Sequence, residues 1–390
     1  MNTETKKILF VVSHYLPGFK NGGPTTSIKN MVDALDAFDS YVVTSNTDFG
    51  SDRVYDDIVS HTWNRVGNAR VLYIARTFLA FIEMVRHVRS LSPDFIYLKS
   101  LFDFRFSIVF LLLKKLRVLG GGLIVVAPSG ELYEDQLNFK RPKKNVYLAL
   151  AKLARLYSSV RWHASTPVES DSIRTVFPSA REGSIVVAKN IVARPRATAV
   201  RQLADSAHDL PLQIVYLSRI ARDKNTAFVL EILAEVSGRV HLDLFGPIED
   251  ATYWDEIAAV AASLPGNVSY SYRGAIASSE SIAVLPGYDM FFLPSFSENF
   301  GHAINEALSV GVPVLISDKT PWRNLQEKGM GWDLPLDNRR AFIEVIEAMA
   351  SAKASGKALF RPMDIFNSYL GEIEYHRMLA DVARLFAAQR

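Results

Sequence analysis

The sequence predicts an α/β protein made of two doubly wound domains that face each other across a cleft. Short apolar runs alternate with helical patterns along most of the chain, and this alternation stops once and then restarts. The chain has 390 residues, which exceeds the roughly 250–300 residues at which a single hydrophobic core stops growing. Alternation of this kind is typical of parallel sheets covered by helices on both faces.

The first series of elements begins with KKILFVVSHYLP (6–17), an apolar strand that is followed by a loop containing Gly22 and Gly23. The next segment, TTSIKNMVDAL (25–35), predicts a helix behind a threonine cap, because its apolar residues recur at helical spacing. Five further apolar runs predict buried parallel strands. They are SYVVTS (40–45), ARVLYIA (69–75), DFIYLKS (94–100), LIVVAPSG (123–130) and SIVVAKN (184–190).

The segment 191–212 has three arginines, two prolines and no strand pattern, so it predicts a linker. The predicted domains therefore span 1–192 and 205–365, and an amphipathic C-terminal helix at about 366–390 is expected to pack back on the first domain. Five more apolar runs follow the linker and predict the second sheet. They are LQIVYLSRI (212–220), VHLDLFG (240–246), VSYSYRG (268–274), DMFFLPS (289–295) and PVLIS (313–317).

The composition limits the possible classes of protein. The chain contains no cysteine, which excludes disulfides and thiolate chemistry and fits a reducing cytoplasm. The longest central apolar run, IVFLLL (108–113), is far shorter than the roughly 20 residues that a membrane span needs, and the N-terminus lacks a signal-peptide core. Residues 101–200 hold 16 Lys and Arg against 7 Asp and Glu, within a net charge of +3. We expect a soluble or peripheral protein with a basic face for anionic partners.

The stretch SENFGHAINEAL (297–308) sets two glutamates eight positions apart. Glu298 should lie in the turn after a parallel strand, where open α/β sheets bind ligands. A helix should begin between Asn299 and Gly301, and Glu306 should lie about one and a half turns into it, where a buried carboxylate needs a partner. Two other interpretations stay open at this point. Glu298 could be a helix-dipole carboxylate with Glu306 at the surface, or the two could form a glycosidase acid/base pair.

Arg219 and Lys224 follow the strand LQIVYLS (212–218). Fixed cations at such a turn can stabilise the negative charge that builds on a departing phosphate, so no divalent metal need be invoked. The alternative is two surface cations at a turn.

Four segments in order resemble the retaining glycosyltransferases of family 4, which have the GT-B fold of two Rossmann-like domains. PSFSENFGHAINEALSVGVPVLIS (294–317) resembles the E-x7-E signature of that family. YLSRIARDKN (216–225) resembles its diphosphate-binding element, and VSYSYRGAI (268–276) with YDMFFLPS (288–295) resembles the stretch around the donor base. NGGPTTS (21–27) resembles the glycine loop of the first domain.

This resemblance implies a role for each matching residue. Glu298 would contact the donor sugar, Arg219 and Lys224 would hold the diphosphate, and Glu306 would bind the ribose hydroxyls. The family often has Gly where Asn299 stands, so the sugar is not fixed. The remaining donor-binding residues implied by the resemblance are Gly22, Gly23, Gly274, Ile276, Asn299, Phe300 and Gly301.

In the GT-B enzymes the first domain binds the acceptor. Many members of family 4 have a histidine after the strand that ends here at VVAPSG (125–130), where this chain has Ser129 and Gly130. Ser165 and Glu169 resemble family positions beside the cleft. His163 is a further acceptor-side candidate, although a histidine near a strand end is often structural.

The cluster KRPKK (140–144) continues into an aliphatic helix, and FRFSIVFLLLKKLRVL (104–119) combines an apolar run with terminal cations. These segments are either two crossover helices or a peripheral face for the cytoplasmic side of the inner membrane, near a polyprenyl-diphosphate-linked acceptor. TPW (320–322) also resembles bacterial members that build surface polysaccharides, although Trp322 could simply pack beneath a helix start.

The sequence thus predicts a metal-independent retaining glycosyltransferase without a cofactor, which uses a nucleotide sugar such as a UDP- or GDP-sugar and a glycan or lipid-linked acceptor. A role in O-antigen, capsule or exopolysaccharide synthesis is expected. Two alternatives remain: a non-hydrolysing nucleotide-sugar epimerase of the same fold, and a non-catalytic nucleotide-sugar-binding protein. A nucleic-acid partner is not expected, because the basic residues lack interleaved stacking aromatics.

Overall fold

The structure is a computed structural model that describes residues 5–20, 22–138, 141–180, 183–202 and 210–387. The chain forms two compact units. Unit 1 comprises residues 1–193 and 375–390, and unit 2 comprises residues 194–374. The C-terminal segment from Tyr375 onward belongs to unit 1, whereas residues 366–374 belong to unit 2.

In the described part of unit 1, eight strands form one sheet in the order β3-β4-β2-β1-β5-β6-β7-β8. All neighbouring strands are parallel except β3, which pairs antiparallel with β4. The strands span Lys7–Val11 (β1), Asp39–Ser45 (β2), Trp63–Val66 (β3), Ala69–Ile74 (β4), Phe95–Leu98 (β5), Leu123–Val126 (β6), Arg161–Ala164 (β7) and Ile185–Val187 (β8).

The described part of unit 2 contains a parallel sheet of six strands in the order β11-β10-β9-β12-β13-β14. Parallel strands that carry helices on their crossovers are buried on both faces, which is why their sequences are continuous apolar runs. The strands span Leu212–Leu217 (β9), Val240–Phe245 (β10), Val268–Gly274 (β11), Met290–Leu293 (β12), Val314–Ser317 (β13) and Gly331–Leu334 (β14).

Helices connect the strands in both units, and a π-helical turn at Phe104–Ile108 leads into the third helix. None of the helices in the described ranges has the length and apolar character needed to cross a membrane. The helices span Gly23–Ala34 (α1), Phe78–Leu91 (α2), Val109–Lys115 (α3), Glu134–Asn138 (α4), Arg141–Leu153 (α5), Pro167–Val176 (α6), Thr226–Leu233 (α7), Ala251–Ala261 (α8), Ser278–Val284 (α9), His302–Ser309 (α10), Arg339–Ala354 (α11), Pro362–Ile373 (α12) and Tyr375–Ala383 (α13).

Three local predictions were wrong. α1 begins at Gly23 behind Gly22, which has no capping side chain; Thr25 lies inside the helix and its hydroxyl donates to the His14 carbonyl. The predicted single C-terminal helix is two helices, because Glu374 has a φ of +44° and ends α12. β11 is a largely exposed edge strand and not a buried one.

The C-terminal segment is fixed to unit 1 by an aromatic side chain. The Phe386 ring lies 5.5 Å from that of Phe95 and 6.3 Å from that of Phe10, measured between centroids. The Arg161 guanidinium donates to the Leu385 carbonyl at 2.7 Å. The end of the chain therefore completes the core beneath the central strands of unit 1, since such aromatic pairs add packing energy to the burial of apolar area.

Candidate functional site

The topology of unit 2 defines where a ligand should bind. From β9 the chain adds β10 and β11 on one side and then places β12 on the other side of β9. In open α/β sheets, ligands bind outside the carboxyl ends of the strands at such a switch point. Arg219 and Lys224 follow β9, and Glu298 follows β12. The three predicted catalytic residues therefore flank the switch point.

An ion pair joins the two loops at this point. Lys224 ends a 3₁₀ turn and is only 8% exposed. Its Nζ lies 2.8 Å from Glu298 Oε1, and the Ser295 hydroxyl donates to the same oxygen at 3.2 Å. The backbone N–H of Phe296 donates to the Asp223 carbonyl at 3.0 Å, which ties the loops together. Lys224 and Glu298 are consequently held in a fixed relation to each other.

Arg219 belongs to the same charge cluster. Its guanidinium contacts the Glu249 carboxylate and lies 3.4 Å from Asp223 Oδ2, which is also 3.4 Å from Lys224 Nζ. Asp223 therefore bridges the two predicted cations. Neither Asp223 nor Glu249 was predicted from the sequence. A local signal for Asp223 is its place between the cations Arg222 and Lys224, whereas no sequence signal distinguishes Glu249.

α10 carries the second glutamate. It begins at His302 behind Gly301, whose φ of +75° is a left-handed conformation that favours glycine. The Phe300 carbonyl accepts a hydrogen bond from the Trp322 indole at 2.7 Å, so Trp322 supports the turn from below, as the packing alternative for TPW states. Asn299 lies in the same turn between Glu298 and Phe300.

Glu306 is buried, at 8% exposure, and its Oε2 accepts a hydrogen bond of 2.6 Å from the Ser281 hydroxyl. Ser281 is in α9, directly after the predicted base-binding residues Gly274 and Ile276. Gly274 ends β11 with a φ of +77°, and Ile276 is half-buried in the loop that follows. Glu306 is therefore not a surface residue, which excludes that interpretation. Its carboxylate instead contacts α9, the helix that follows Gly274 and Ile276 in the chain.

Unit 1 brings most of the predicted acceptor-side residues together. Glu169 is fully buried, and its carboxylate accepts hydrogen bonds from the Gly130 N–H at 2.6 Å and from both the N–H and the hydroxyl of Ser165 at 2.7 and 2.6 Å. Ser129 precedes Gly130 with a φ of +54°. Glu169 thus joins the loops after β6 and β7. The predicted Gly22 and Gly23 also lie in unit 1, at the start of α1.

His163 lies inside β7 and has both ring nitrogens occupied. Nδ1 lies 2.7 Å from the Tyr97 hydroxyl, and Nε2 lies 2.9 Å from the Ala188 carbonyl. Burial, assisted by the positive charge of Lys99, lowers the pKa of the imidazole to about 4. These contacts agree with the structural alternative, because the neutral imidazole joins β7 to Tyr97 of β5 and to Ala188 after β8.

This buried histidine predicts a pH-dependent stability. Above about pH 6.5 the contribution of His163 to the free energy of unfolding is complete. This contribution is lost as the pH falls towards 4, because the unfolded chain takes up a proton that the folded chain does not. Between pH 6.5 and 4.5, wild-type unfolding free energy should fall by about 2–3 kcal/mol more than that of His163→Gln, measured by urea denaturation. The exposed His376→Gln serves as control. Parallel pH curves for wild type and His163→Gln would contradict this prediction.

Comparisons with solved structures support the fold. The fold is GT-B, with two Rossmann-like units, and it matches solved structures along nearly the whole chain. HepE of Anabaena in complex with UDP and glucose has a TM-score of 0.68 at 14% identity, covering 97% of this chain and 98% of that chain. A variant of S. aureus TarM in complex with Fondaparinux, alpha-GlcNAc-glycerol and UDP has a TM-score of 0.66 at 11% identity, covering 98% and 100%. WaaG, a glycosyltransferase involved in lipopolysaccharide biosynthesis, has a TM-score of 0.60 at 10% identity, covering 98% and 100%.

The family comparison is more specific about unit 2. Residues 204–354 match the family model "Glycosyl transferases group 1", and this range lies entirely within unit 2. It contains Arg219, Lys224, Glu298 and Glu306. No match was found among curated protein sequences. The charge cluster at the switch point therefore lies within the range that matches this family model.

Proposed function

We propose that this protein is a retaining, metal-independent glycosyltransferase of family 4 that moves a sugar from a nucleotide-diphosphate donor to a glycan or lipid-linked acceptor. The observation that carries the proposal is the pair Lys224–Glu298, 2.8 Å apart at the switch point of the group 1 domain. A diphosphate bound at this point would contact the cations Arg219 and Lys224, and a sugar attached to it would contact the carboxylate of Glu298. HepE was solved with UDP and glucose, which supports a nucleotide-sugar donor.

The chemistry follows from the residues. The bond between the anomeric carbon and the diphosphate oxygen breaks, and Arg219 and Lys224 stabilise the charge that remains on the diphosphate. The acceptor hydroxyl forms the new bond on the same face, and its proton passes to the departing phosphate oxygen, so retention needs no enzyme nucleophile. Glu298 orients the sugar, and Glu306 binds the ribose hydroxyls. The backbone at Asn299, Phe300 and Gly301 supports the sugar and the phosphate.

The test is incubation with a panel of UDP- and GDP-sugars in EDTA, with and without glycan acceptors. We expect release of nucleoside diphosphate that depends on an acceptor, and a product whose anomeric configuration by NMR equals that of the donor. Interconversion of the donor sugar without an acceptor would instead identify an epimerase. Donor binding without transfer to any acceptor would favour the non-catalytic alternative.

Glu249 provides a second test of the diphosphate site. In the structure its carboxylate competes with any phosphate for Arg219. Because partly exposed ion pairs contribute at most about 1 kcal/mol, Glu249→Gln should lower the KM for the donor about two- to fivefold. Glu256→Gln, which removes the partner of the neighbouring Arg222, is the matched control. A raised donor KM in Glu249→Gln alone would show that Glu249 instead holds Arg219 in its working position.

We further propose that the protein acts in bacterial surface-polysaccharide synthesis and that it works on the cytoplasmic face of the inner membrane. The similarity to WaaG supports the role in polysaccharide synthesis. The set of exposed apolar residues on α3, directly after α3 and on α5, here called the apolar ridge, supports the membrane location. Lys115 Nζ contacts the Ala154 carbonyl and joins the ends of α3 and α5. The same helix α5 carries the exposed cations Lys143 and Lys152, while Lys140 of the predicted basic cluster lies outside the described residues. The ridge consists of Leu112, Leu116, Val146, Leu150 and Leu153, which are 39–84% exposed.

The ridge predicts binding to anionic lipid surfaces, since apolar insertion and basic residues act together there. The protein should sediment with vesicles of phosphatidylglycerol and phosphatidylethanolamine at low salt. Leu150→Asp with Leu153→Asp, or alanine at Lys143 and Lys144, should lower the bound fraction several-fold. Leu359→Asp with Leu370→Asp, which changes exposed leucines of unit 2, is the control. Failure of the wild type to sediment at low salt would eliminate this proposal.

A further inference from the structure

Unit 1 has its own topological switch point. From β1 the chain moves outward to β2 and β4 on one side, and β5 then pairs with the other side of β1. The crevice of this sheet is therefore expected outside the carboxyl ends of β1 and β5. Lys99 is the first residue after β5, and its backbone N–H donates to the Val11 carbonyl at the end of β1. Lys99 lies outside the segments that carry the family resemblance.

Lys99 is a buried cation, with only 9% of its surface exposed. Its Nζ donates to the Ser27 hydroxyl at 3.2 Å, and Ser27 donates in turn to the Asn190 amide oxygen at 3.3 Å. An ammonium group has three hydrogen-bond donors. Within the described residues, Ser27 is the only hydrogen-bond acceptor found for this ammonium group, and no carboxylate oxygen lies within 4 Å of it.

Burial and nearby carboxylates have opposite effects on the protonation of Lys99. Burial lowers the pKa of its ammonium group to about 8, while the more distant carboxylates of Glu169 and Glu131 raise it. Those carboxylates are already hydrogen-bonded. Glu169 accepts hydrogen bonds from Gly130 and Ser165. Glu131 accepts hydrogen bonds from the Leu101 N–H at 2.6 Å and the Ser100 hydroxyl at 2.8 Å. Lys99 is therefore mainly charged at neutral pH.

A buried charge without a contacting counter-ion is costly unless a ligand supplies one. We propose that Lys99 is the binding residue of an oxyanion subsite in unit 1, which takes a phosphate or carboxylate group of the acceptor. Ser27 and Asn190 position the ammonium group. That the oxyanion belongs to an acceptor rests on the proposed function, whereas the anion site itself rests on the geometry alone.

The binding test separates this site from the diphosphate site of unit 2. In the double variant Arg219→Ala/Lys224→Ala, isothermal titration calorimetry should still detect binding of inorganic pyrophosphate or of glucuronate. Binding of pyrophosphate would indicate that the subsite takes a phosphate group, and binding of glucuronate would indicate a carboxylate group. Adding Lys99→Met should weaken this binding at least tenfold, and adding Lys99→Arg should weaken it less. Binding of neither ligand in the double variant, or equal binding after Lys99→Met, would overturn the inference.

A second variant guards against misfolding of Lys99→Met, which circular dichroism would report. Ser27→Ala keeps the charge but releases the ammonium group, and it should weaken the same binding several-fold; unchanged binding would contradict the positioning role. In the transferase assay, Lys99→Met should raise the KM for an acceptor that carries the anion and leave the donor KM unchanged. A raised donor KM with an unchanged acceptor KM would overturn the acceptor assignment even if transfer is confirmed. If the double variant binds pyrophosphate and Lys99→Met abolishes this binding, while the wild type shows no transferase activity, the subsite stands and only the proposed function is refuted.

Discussion

Replacing Lys224 with alanine is expected to lower turnover by about 10²-fold or more, the effect of removing one preorganised group that stabilises developing charge. Lys224 is nearly buried and contacts Glu298 at 2.8 Å, so water cannot easily substitute for the ammonium group. Arg219→Ala and Glu298→Ala are expected to have losses of the same order. Steady-state release of nucleoside diphosphate, with donor and acceptor both saturating, measures the effect.

Arg222→Ala is the matched control for this prediction. Arg222 lies in the same 3₁₀ turn, two positions before Lys224, but it is exposed and pairs with Glu256. Its removal should leave turnover within about twofold of wild type, since exposed ion pairs contribute little.

A double variant separates two causes of the loss. Lys224→Ala leaves Glu298 without its cation, so part of the effect could come from a displaced carboxylate. Lys224→Ala/Glu298→Gln should be as inactive as Lys224→Ala if Lys224 acts on the diphosphate. Recovery of turnover in the double variant would show that the loss came from the unpaired Glu298 carboxylate and not from a missing charge at the diphosphate. Turnover near the wild-type value in all three alanine variants would overturn the site.

Replacing Gly246 with alanine is expected to lower the free energy of unfolding by about 3 kcal/mol or more, at the upper end of single-residue effects. Gly246 follows β10 and has a φ of +144°. A Cβ atom there would lie 1.7 Å from the Ser218 carbonyl oxygen, which is backbone and cannot rotate away. The carboxyl ends of β9 and β10 would have to separate, and with them the loop that carries Arg219.

Urea denaturation and thermal melting measure this loss, and Gly266→Ala is the control. Gly266 is exposed, and a Cβ atom there would meet no atom within 4 Å. It should change the unfolding free energy by less than about 1 kcal/mol. Equal stability of the Gly246 and Gly266 variants would mean that the two strand ends are not in close contact. If Gly246→Ala folds, its donor KM should rise, because Ser218 directly precedes Arg219.

Apolar runs predicted most of the parallel strands because burial on both faces demands a continuous hydrophobic sequence. β3, β7 and β14 were not predicted as strands. Each has four residues, and WNRV, RWHA and GWDL contain polar residues that obscure the pattern. Their strand conformation is imposed by neighbours in the sheet, since pairing and packing outweigh local preference in short strands.

The threonine cap of α1 was wrong for a related reason. A threonine before an apolar helical pattern is a good cap in isolation, but the Thr25 hydroxyl is used by the His14 carbonyl, eleven residues earlier. Gly22, with a φ of +62°, begins the helix instead. Long-range contacts thus decided which residue stands at the helix start.

The sequence by itself determined two doubly wound sheets and placed Arg219, Lys224 and Glu298 at strand ends, because hydrophobic periodicity and loop position are local properties of a chain. Only the tertiary structure decided the partners: Lys224 with Glu298, Arg219 with Asp223 and Glu249, and Glu306 with Ser281. It also left Lys99 without a contacting carboxylate from the part of the chain that the structure describes. Hydrogen bonds and ion pairs require atoms within about 3–4 Å, and the packing of distant segments sets those distances.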